Sequence, residues 1–292
     1  MQLKASLYIA LAGVLYGFSG YLGIRAMEAH LAVESMLFVR FMIAGIWIAF
    51  FIPKKAWEHM KTACTPFDFS HILLLSAFGY AASLVAYFLS SQMIGTGLAK
   101  VIYFSYPLWV ALGSWIFYKK AMTLWTGLTL LAMLVGLLLL NGLSFHHSVN
   151  RVGVIWGLIS AITWASYMMS AGRYVARKVD GQLLALVICV GAAIGLGVGA
   201  WIQNSLFWAA SPQIWGNLIL QGLLTTAIPI QLVLMGLKEI SALRASILSV
   251  TEPVVTVLVG VLLLHEVLSG QQILGAILLI TSAILIQFQR NL

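Results

Sequence analysis

Apolar residues fall along the chain in windows of about 20 residues, which short polar connections separate. A helix rises ~1.5 Å per residue, so each window is long enough to cross a hydrocarbon core of roughly 30 Å. The longest connection, about residues 53–70, leaves no room for a soluble domain. The pattern predicts an all-α integral membrane protein with ten spans, at residues 5–26, 34–52, 71–93, 96–118, 123–141, 152–171, 182–202, 213–236, 241–264 and 270–288.

The composition excludes a soluble globular protein. Of the 292 residues, 62% are hydrophobic and 8% are charged, which is too few charges to cover a water-facing surface.

The first apolar run follows a basic residue, Lys4, and in this respect resembles a signal peptide. It is long, lacks a clear cleavage site and precedes further spans, so it is interpreted as the first helix.

The basic residues predict the orientation of the chain in the membrane. With the N-terminus inside, three basic residues fall on the outer side, namely Arg25, Lys100 and Arg151. Twelve fall on the cytoplasmic side: Lys4, Lys54, Lys55, Lys61, Lys119, Lys120, Arg173, Arg177, Lys178, Lys238, Arg244 and Arg290. This bias predicts two cytoplasmic termini in a plasma membrane, most simply a bacterial inner membrane. The net charge of +8 is scattered over short loops, so no nucleic-acid partner is expected.

Two segments of the sequence, 99–120 and 245–266, are similar and lie 146 residues apart. In each copy an Ala precedes a Pro by eight residues and a charged residue follows that Pro by thirteen: Ala99, Pro107 and Lys120, then Ala245, Pro253 and Glu266. Each copy closes a block of five spans. Five is odd, so the second block enters the membrane inverted, an arrangement typical of solute transporters. The sequence therefore predicts two inverted five-helix repeats, residues 1–142 and 150–292.

The sequence resembles the drug/metabolite transporter superfamily, in its ten-helix EamA-type branch. The resemblance rests on Arg40-Phe41 with Ala44 in helix 2, and on Ala245, Pro253, Gly260, His265-Glu266 and Leu274-Gly275-Ala276 in helices 9 and 10. Lys119-Lys120 departs from the Gly-Glu-like ending usual in the family, so no role is carried over to an acid there. The resemblance implies a central cavity formed by helices 1–4 and 6–9, with helices 5 and 10 outside. It implies transport of small organic solutes and leaves the substrate open.

Glu252 lies about halfway along helix 9, where an ionised carboxylate in hydrocarbon costs about 3 kcal/mol or more. It must therefore face a cavity or a partner, or be protonated. The following Pro253 also frees a backbone carbonyl near Ser249. Two interpretations stay open: recognition of a substrate amine or a proton, and a structural carboxylate that pairs with Arg40 or caps the backbone at the kink.

Two basic residues are candidates for binding a substrate carboxylate. Arg40 lies roughly 9 Å below the outer end of helix 2, where it can snorkel to the headgroups or point into the bundle. Lys100 lies near the outer start of helix 4, on a face shared with Tyr103, and is a candidate for the cavity mouth.

Polar and aromatic residues recur at spacings of 3 and 4 on two helices. Helix 3 has Tyr80, Ser83, Tyr87 and Ser91, and helix 6 has Trp156, Ser160, Thr163, Tyr167 and Ser170, with Trp164 beside them. Hydroxyl groups need partners that acyl chains do not supply, so these stripes are expected to turn inward. They either frame a cavity or pack the helices together.

The combined pattern predicts a secondary transporter, an exporter of amino acids or related amphipathic metabolites, working by alternating access. The alternatives are a multidrug or nucleoside-type permease and, with less support, a membrane enzyme or assembly factor. No enzyme activity, metal or cofactor is expected beyond proton coupling, because His146-His147 lack ligand neighbours and no Walker A motif is present. The expected partners are a small solute and the lipid bilayer, with the chain acting as a monomer or weak homodimer. The candidate substrate-binding residues are Glu252, Trp164, Tyr80, Tyr87, Ser83, Tyr103, Tyr16, Tyr167, Lys100 and Arg40.

Overall fold

The computed structural model describes residues 2–19, 21–23, 31–53, 56, 58, 65–119, 122–141, 150–176, 180–206, 211–264 and 268–288. Several residues singled out in the sequence lie outside this described part, namely Arg25, Lys54, Lys55, Lys61, Lys120, His146, His147, Arg177, Lys178, His265, Glu266 and Arg290.

The described residues form ten helices at the predicted places. They are α1 Gln2–Gly17, α2 Val33–Phe51, α3 Phe67–Ile94, α4 Thr96–Tyr118, α5 Leu124–Leu140, α6 Arg151–Ala176, α7 Gly181–Ile202, α8 Pro212–Leu237, α9 Ala242–Leu264 and α10 Gly270–Leu285. Nine are long and apolar enough to cross a membrane, and α5 is a shorter apolar helix of 17 residues. The predicted fold class is confirmed. The repeat boundaries at residues 142 and 150 stay a prediction.

Four of the helices are interrupted, and the interruptions recur in the two halves. A π-helical turn lies at Ser76–Ala81 in α3 and another at Leu223–Ala227 in α8. α4 consists of α4a, Thr96–Tyr103, and α4b, Tyr106–Tyr118. α9 consists of α9a, Ala242–Leu248, and α9b, Thr251–Leu264.

The breaks in α4 and α9 follow from the repeated prolines. A proline has no amide hydrogen and its ring clashes with the carbonyl four residues earlier, so a straight helix cannot pass through it. The chain tightens into i→i−3 hydrogen bonds just before each proline, with Ser105 N donating to Ile102 O at 3.1 Å and Val250 N donating to Ile247 O at 3.2 Å. Pro107 and Pro253 then fall in the first turn of the next helical segment.

The packing has an approximate two-fold symmetry. α6 packs against α3 and α4, and its counterpart α1 packs against α8 and α9. These contacts define two bundles, α3/α4/α6 and α8/α9/α1. α2 pairs with α7, and α5 pairs with α10, so each of these helices packs against its own counterpart. A shift of five helices maps one set of contacts onto the other, as inverted repeats require.

Among the described residues, the helices of the two bundles pack closely together at one end of the molecule. The near face is the end at which α1 begins, and the far face is the end at which α1 stops. Toward the near face, α4b packs against α9a, and α6 contacts both α9a and the last segment of α8, Ile228–Leu237. Toward the far face, a cavity lies between the two bundles.

Polar and apolar side chains are distributed as in a protein whose solvent is lipid. Large apolar side chains point outward, including Phe50 at 85% exposure and Leu262 at 70%. Hydroxyl-bearing side chains such as Ser83, Ser160 and Thr225 are fully buried. They bond across helices or to the backbone of their own helix, because acyl chains offer no hydrogen-bond partners.

The α5–α10 pair depends on glycines that allow close backbone contact. A Cβ built on Gly275 would lie 2.4 Å from Leu140 N and 2.7 Å from Gly136 O, and backbone atoms cannot move aside. Gly199 in α7 is different, since a Cβ there meets nothing within 4 Å.

We therefore expect Gly275→Ala to separate α5 from α10 and to destabilise the protein by roughly 1–3 kcal/mol. Thermal unfolding in detergent, followed by tryptophan fluorescence, measures this. Gly199→Ala is the matched control and should leave the midpoint unchanged or slightly raised, because Ala favours the helix. Equal midpoints for the two variants would contradict the close contact.

Candidate functional site

A cavity of about 580 Å³ opens toward the far face between the two bundles. Its volume suits a ligand of the size of an amino acid or a nucleoside. Eight of the ten candidate residues line it, namely Tyr16, Arg40, Tyr80, Tyr87, Lys100, Tyr103, Trp164 and Glu252. Both halves of the chain therefore contribute to its walls.

Aromatic rings form the floor of the cavity. Tyr80 lies at their centre, with ring centroids 4.7 Å from Trp164, 4.9 Å from Tyr167 and 5.2 Å from Phe41, all edge-to-face. The Tyr80 hydroxyl also lies 3.2 Å from the hydroxyl of Tyr16. Tyr80 and Trp164 of this cluster line the cavity, and Tyr167 and Phe41 pack behind them.

Two buried polar atoms on the cavity wall have no hydrogen-bond partner within the described part of the chain. They are Nε1 of Trp164 and Oε1 of Gln221. The amide nitrogen of Gln221 is already used, because it donates to Leu22 O at 2.9 Å. A buried donor or acceptor that lacks a partner destabilises a protein by ~1–3 kcal/mol, so these atoms are sites for a polar ligand or water.

Lys100 and Glu252 bring opposite charges to the cavity from different halves. Lys100 Nζ donates to Thr256 Oγ1 at 3.0 Å, and that hydroxyl donates to the carbonyl of Glu252 at 3.0 Å. Among the described residues, the Glu252 carboxylate makes no hydrogen bond and no ion pair. The carboxyl group therefore faces the cavity, which Glu252 lines.

The backbone at Pro253 is satisfied without the Glu252 side chain. The carbonyl of Ser249, four residues before the proline, accepts a 3.0 Å hydrogen bond from the amide of Glu252. Two structural roles were considered for the Glu252 side chain, pairing with Arg40 and capping of the backbone at the kink. The described contacts show neither of them.

Arg40 points into the bundle and does not snorkel. It is buried, its Nε donates to Thr226 Oγ1, and its NH2 group donates to the carbonyl of Thr225. Pro229 lies four residues after Thr225, so the helical donor for that carbonyl is missing. Arg40 supplies the missing donor and joins α2 to the π-helical turn of α8.

Ser83 and Tyr167 lie outside the cavity lining. Ser83 exchanges hydrogen bonds with Ser160, each hydroxyl donating to the other residue's carbonyl at 2.8 and 2.7 Å, which joins α3 to α6. Tyr167 is buried behind Tyr80 and Trp164. The five residues of the helix 6 stripe are outside the lining, whereas Trp164, which neighbours the stripe, lines the cavity.

The cavity also includes residues that the sequence did not single out as site residues. Gln92, Thr96 and Asn141 lie at helix ends on the far face and line its mouth. Polar residues at helix ends look like ordinary loop residues in a sequence, so no signal distinguishes them. Gln221 had a signal, because it is a polar side chain inside an apolar span.

Comparison with known proteins places this architecture in a family. The model of the EamA-like transporter family matches the chain twice, at residues 3–142 and 151–288. The chain belongs to the EamA-like transporter family. It is therefore a multi-pass membrane protein and a transporter, as its relatives are also described.

Relatives in several organisms are described as transporters. The chain is 25% identical to "Uncharacterized inner membrane transporter YicL" of Salmonella typhimurium, over 97% of this chain and 95% of that protein. It is 26% identical to "Uncharacterized transporter YwfM" of Bacillus subtilis, over 96% of this chain and 93% of that one. It is also 28% identical to "Uncharacterized transporter YcbK" of Bacillus subtilis, over 64% of this chain and 62% of that protein, which is less than two thirds of its length.

A solved crystal structure has the same fold. It superimposes with a TM-score of 0.78 at 16% sequence identity and covers 98% of this chain and 96% of that one. The similarity extends over both halves and therefore concerns the arrangement of all ten helices.

The contact between Arg40 and Thr225 generates a prediction about stability. Arg40→Met removes the donors of a buried carbonyl and should destabilise the protein by roughly 1–3 kcal/mol. Pro229→Ala restores an amide hydrogen to residue 229, so the same Arg40→Met change should be less damaging in that background. Thermal unfolding of the four proteins measures the coupling, with Arg151→Met, an exposed arginine, as control. An equal loss in both backgrounds would show that Arg40 does not substitute for the missing amide.

Proposed function

We propose that this chain is a secondary transporter that carries an amphipathic metabolite, an amino acid or a related compound, by alternating access. The observation that carries the proposal is the pair of unmatched charges in one cavity, Glu252 on α9 and Lys100 on α4. A zwitterion presents an amine and a carboxylate. The amine would bind the Glu252 carboxylate, and the carboxylate would bind the Lys100 ammonium in place of Thr256.

The remaining walls support a substrate with an apolar or aromatic side group. Tyr80, Tyr103 and Trp164 present ring faces and edges to the cavity, and they favour another ring or an aliphatic group over water. The unpartnered Nε1 of Trp164 would donate to an oxygen of the substrate. Charge recognition at the mouth and apolar contact at the floor together describe an amphipathic ligand.

A multidrug or nucleoside-type permease is the second candidate. The aromatic floor favours it, because stacked rings also accept nucleobases and flat cations. A panel of labelled solutes separates the candidates. An amino-acid carrier needs both charges of its substrate, whereas a nucleoside permease takes a neutral ring.

We propose that the near face is cytoplasmic and that the cavity opens outward in this structure. The scarcity of basic residues in the far-face connections supports this orientation. An outward-open cavity is the releasing state of an exporter, and the substrate would enter from the cytoplasm in the opposite state.

The chain would work as a monomer or a weak homodimer, since the cavity lies within one chain. Protons would be the only coupling species.

Glu252→Gln tests the carboxylate. It keeps the shape of the side chain and removes the charge, so transport into proteoliposomes should fall by about tenfold or more and lose its pH dependence. Glu239→Gln, on the exposed near-face connection, should leave both unchanged. A thermal-shift screen of amino acids and their derivatives first identifies the substrate, because a ligand stabilises the state that it occupies. An unchanged rate and pH profile in Glu252→Gln would exclude amine binding and proton coupling at this residue.

Single cysteines test the orientation. In a background that lacks Cys64 and Cys189, Arg151→Cys at the exposed start of α6 should react with a membrane-impermeant maleimide in intact cells. Glu58→Cys, an exposed residue between α2 and α3, should react only after permeabilisation. The reverse result would place the near face outside.

A further inference from the structure

The two interrupted helices correspond residue by residue. α4 begins at Thr96 and ends at Tyr118, and α9 begins at Ala242 and ends at Leu264, so both ends are 146 residues apart. Two further correspondences follow by the same shift. Lys100 corresponds to Ser246, and Tyr106 corresponds to Glu252.

The same shift maps the residue pair Tyr106 and Ser246 onto the residue pair Glu252 and Lys100. The first pair is in contact, and the second is not. Toward the near face, the Tyr106 hydroxyl donates to the carbonyl of Ser246 at 3.3 Å, where α4b packs against α9a. Toward the far face, the cavity separates α4a from α9b. Lys100 reaches across it to Thr256, one helical turn beyond Glu252.

Inverted repeats relate the two ends of a transporter to each other. When the cavity changes sides, each half takes up the arrangement that the other half had before. A contact that closes the near face in one state therefore has a counterpart that closes the far face in the other state. For the contact between Tyr106 and Ser246, that counterpart is the contact between Glu252 and Lys100.

We propose that Lys100 and Glu252 form an ion pair that closes the far end of the cavity in the opposite, near-face-open state. The inference rests on the alternating access of the proposed function. Glu252 and Thr256 are one turn apart, a rise of ~6 Å along the helix. The flexible four-carbon stem of Lys100 bridges that distance once α4a and α9b approach.

The two closing contacts differ in chemistry. The far-face contact would be an ion pair, whereas the near-face contact is a hydrogen bond from a tyrosine, and the charges on Lys100 and Glu252 explain the difference. Closing the cavity without substrate removes water from both charges, and an unpaired charge in such a site is strongly unfavourable. The ion pair compensates both groups at once. The empty transporter can then close its far face and return, while a bound zwitterion provides the same two charges itself.

Distances between spin labels test the proposal without any need for transport. One label pair reports on the far face, Met93→Cys in α3 with Leu263→Cys in α9b, and both positions are exposed. A second pair reports on the near face, Arg173→Cys with Glu239→Cys. Pulsed electron–electron double resonance in lipid nanodiscs, without substrate, measures the ratio of closed to open populations at each face.

Lys100→Met and Glu252→Gln should each reduce the closed far-face population by about tenfold, with a matching loss of the open near-face population. The double variant should be no worse than either single one, because both remove the same pair. Lys100→Arg keeps the charge and should keep the closed population. The charge exchange Lys100→Glu with Glu252→Lys should restore it. Tyr106→Phe, which removes the near-face hydrogen bond, should shift the populations in the opposite direction.

Three results would overturn the proposal, and they are distinguishable. If the far face of the wild-type protein closes and Lys100→Met closes equally often, the ion pair is wrong and alternating access stands. If the far face of the wild-type protein never closes, alternating access itself fails. A charge exchange that folds normally on gel filtration but does not restore closure would indicate a role for Lys100 other than pairing with Glu252.

Discussion

The hydrocarbon core offers no hydrogen bonds to the backbone, and this constraint governs the places where a proline interrupts a helix. Three prolines lie inside membrane-spanning helices, beyond the first turn, at Pro107, Pro229 and Pro253, and each takes a donor away from the carbonyl four residues earlier. At Pro229 the substitute donor is a guanidinium from another helix, Arg40. At Pro253 it is the amide of Glu252 itself. Satisfying these carbonyls locally is what allows bent helices, and hence a cavity, inside the membrane.

The two halves share their backbone and differ in their charges. The breaks before proline recur because both copies keep the proline, and a π-helical turn lies in both α3 and α8. The groups at the cavity do not recur. The first half has Tyr106 where the second has Glu252, and the second half has Ser246 where the first has Lys100. The duplication thus provides the scaffold, and single substitutions on corresponding helices give the cavity its polarity.

Much of the fold follows from the sequence. Windows of apolar residues predict nine of the ten helices within about five residues at each end, while α1 ends at Gly17 and its predicted span at residue 26. The spacing of Ala and Pro predicts the repeat. The cost of an ionised carboxylate in lipid predicts that Glu252 faces a cavity or a partner or is protonated, and Glu252 lines the cavity. These inferences succeed because they depend on one segment at a time.

The remaining features depend on distances between segments. A spacing of 3 and 4 residues marks a face some 60° wide, so the helix 3 stripe runs from the cavity at Tyr80 and Tyr87 to the α6 interface at Ser83. The sequence shows both Arg40 and Pro229 but gives no reason to bring Arg40 to Thr226, just before that proline, across 186 residues of chain.

The order in which helices meet adds a consequence for biosynthesis. α1 packs on α8 and α9, and α5 packs on α10 through Gly136 and Gly275. During translation α1 must wait for α8, and α5 must wait for α10. The membrane therefore holds these helices without their partners until the second half of this sequence has been made.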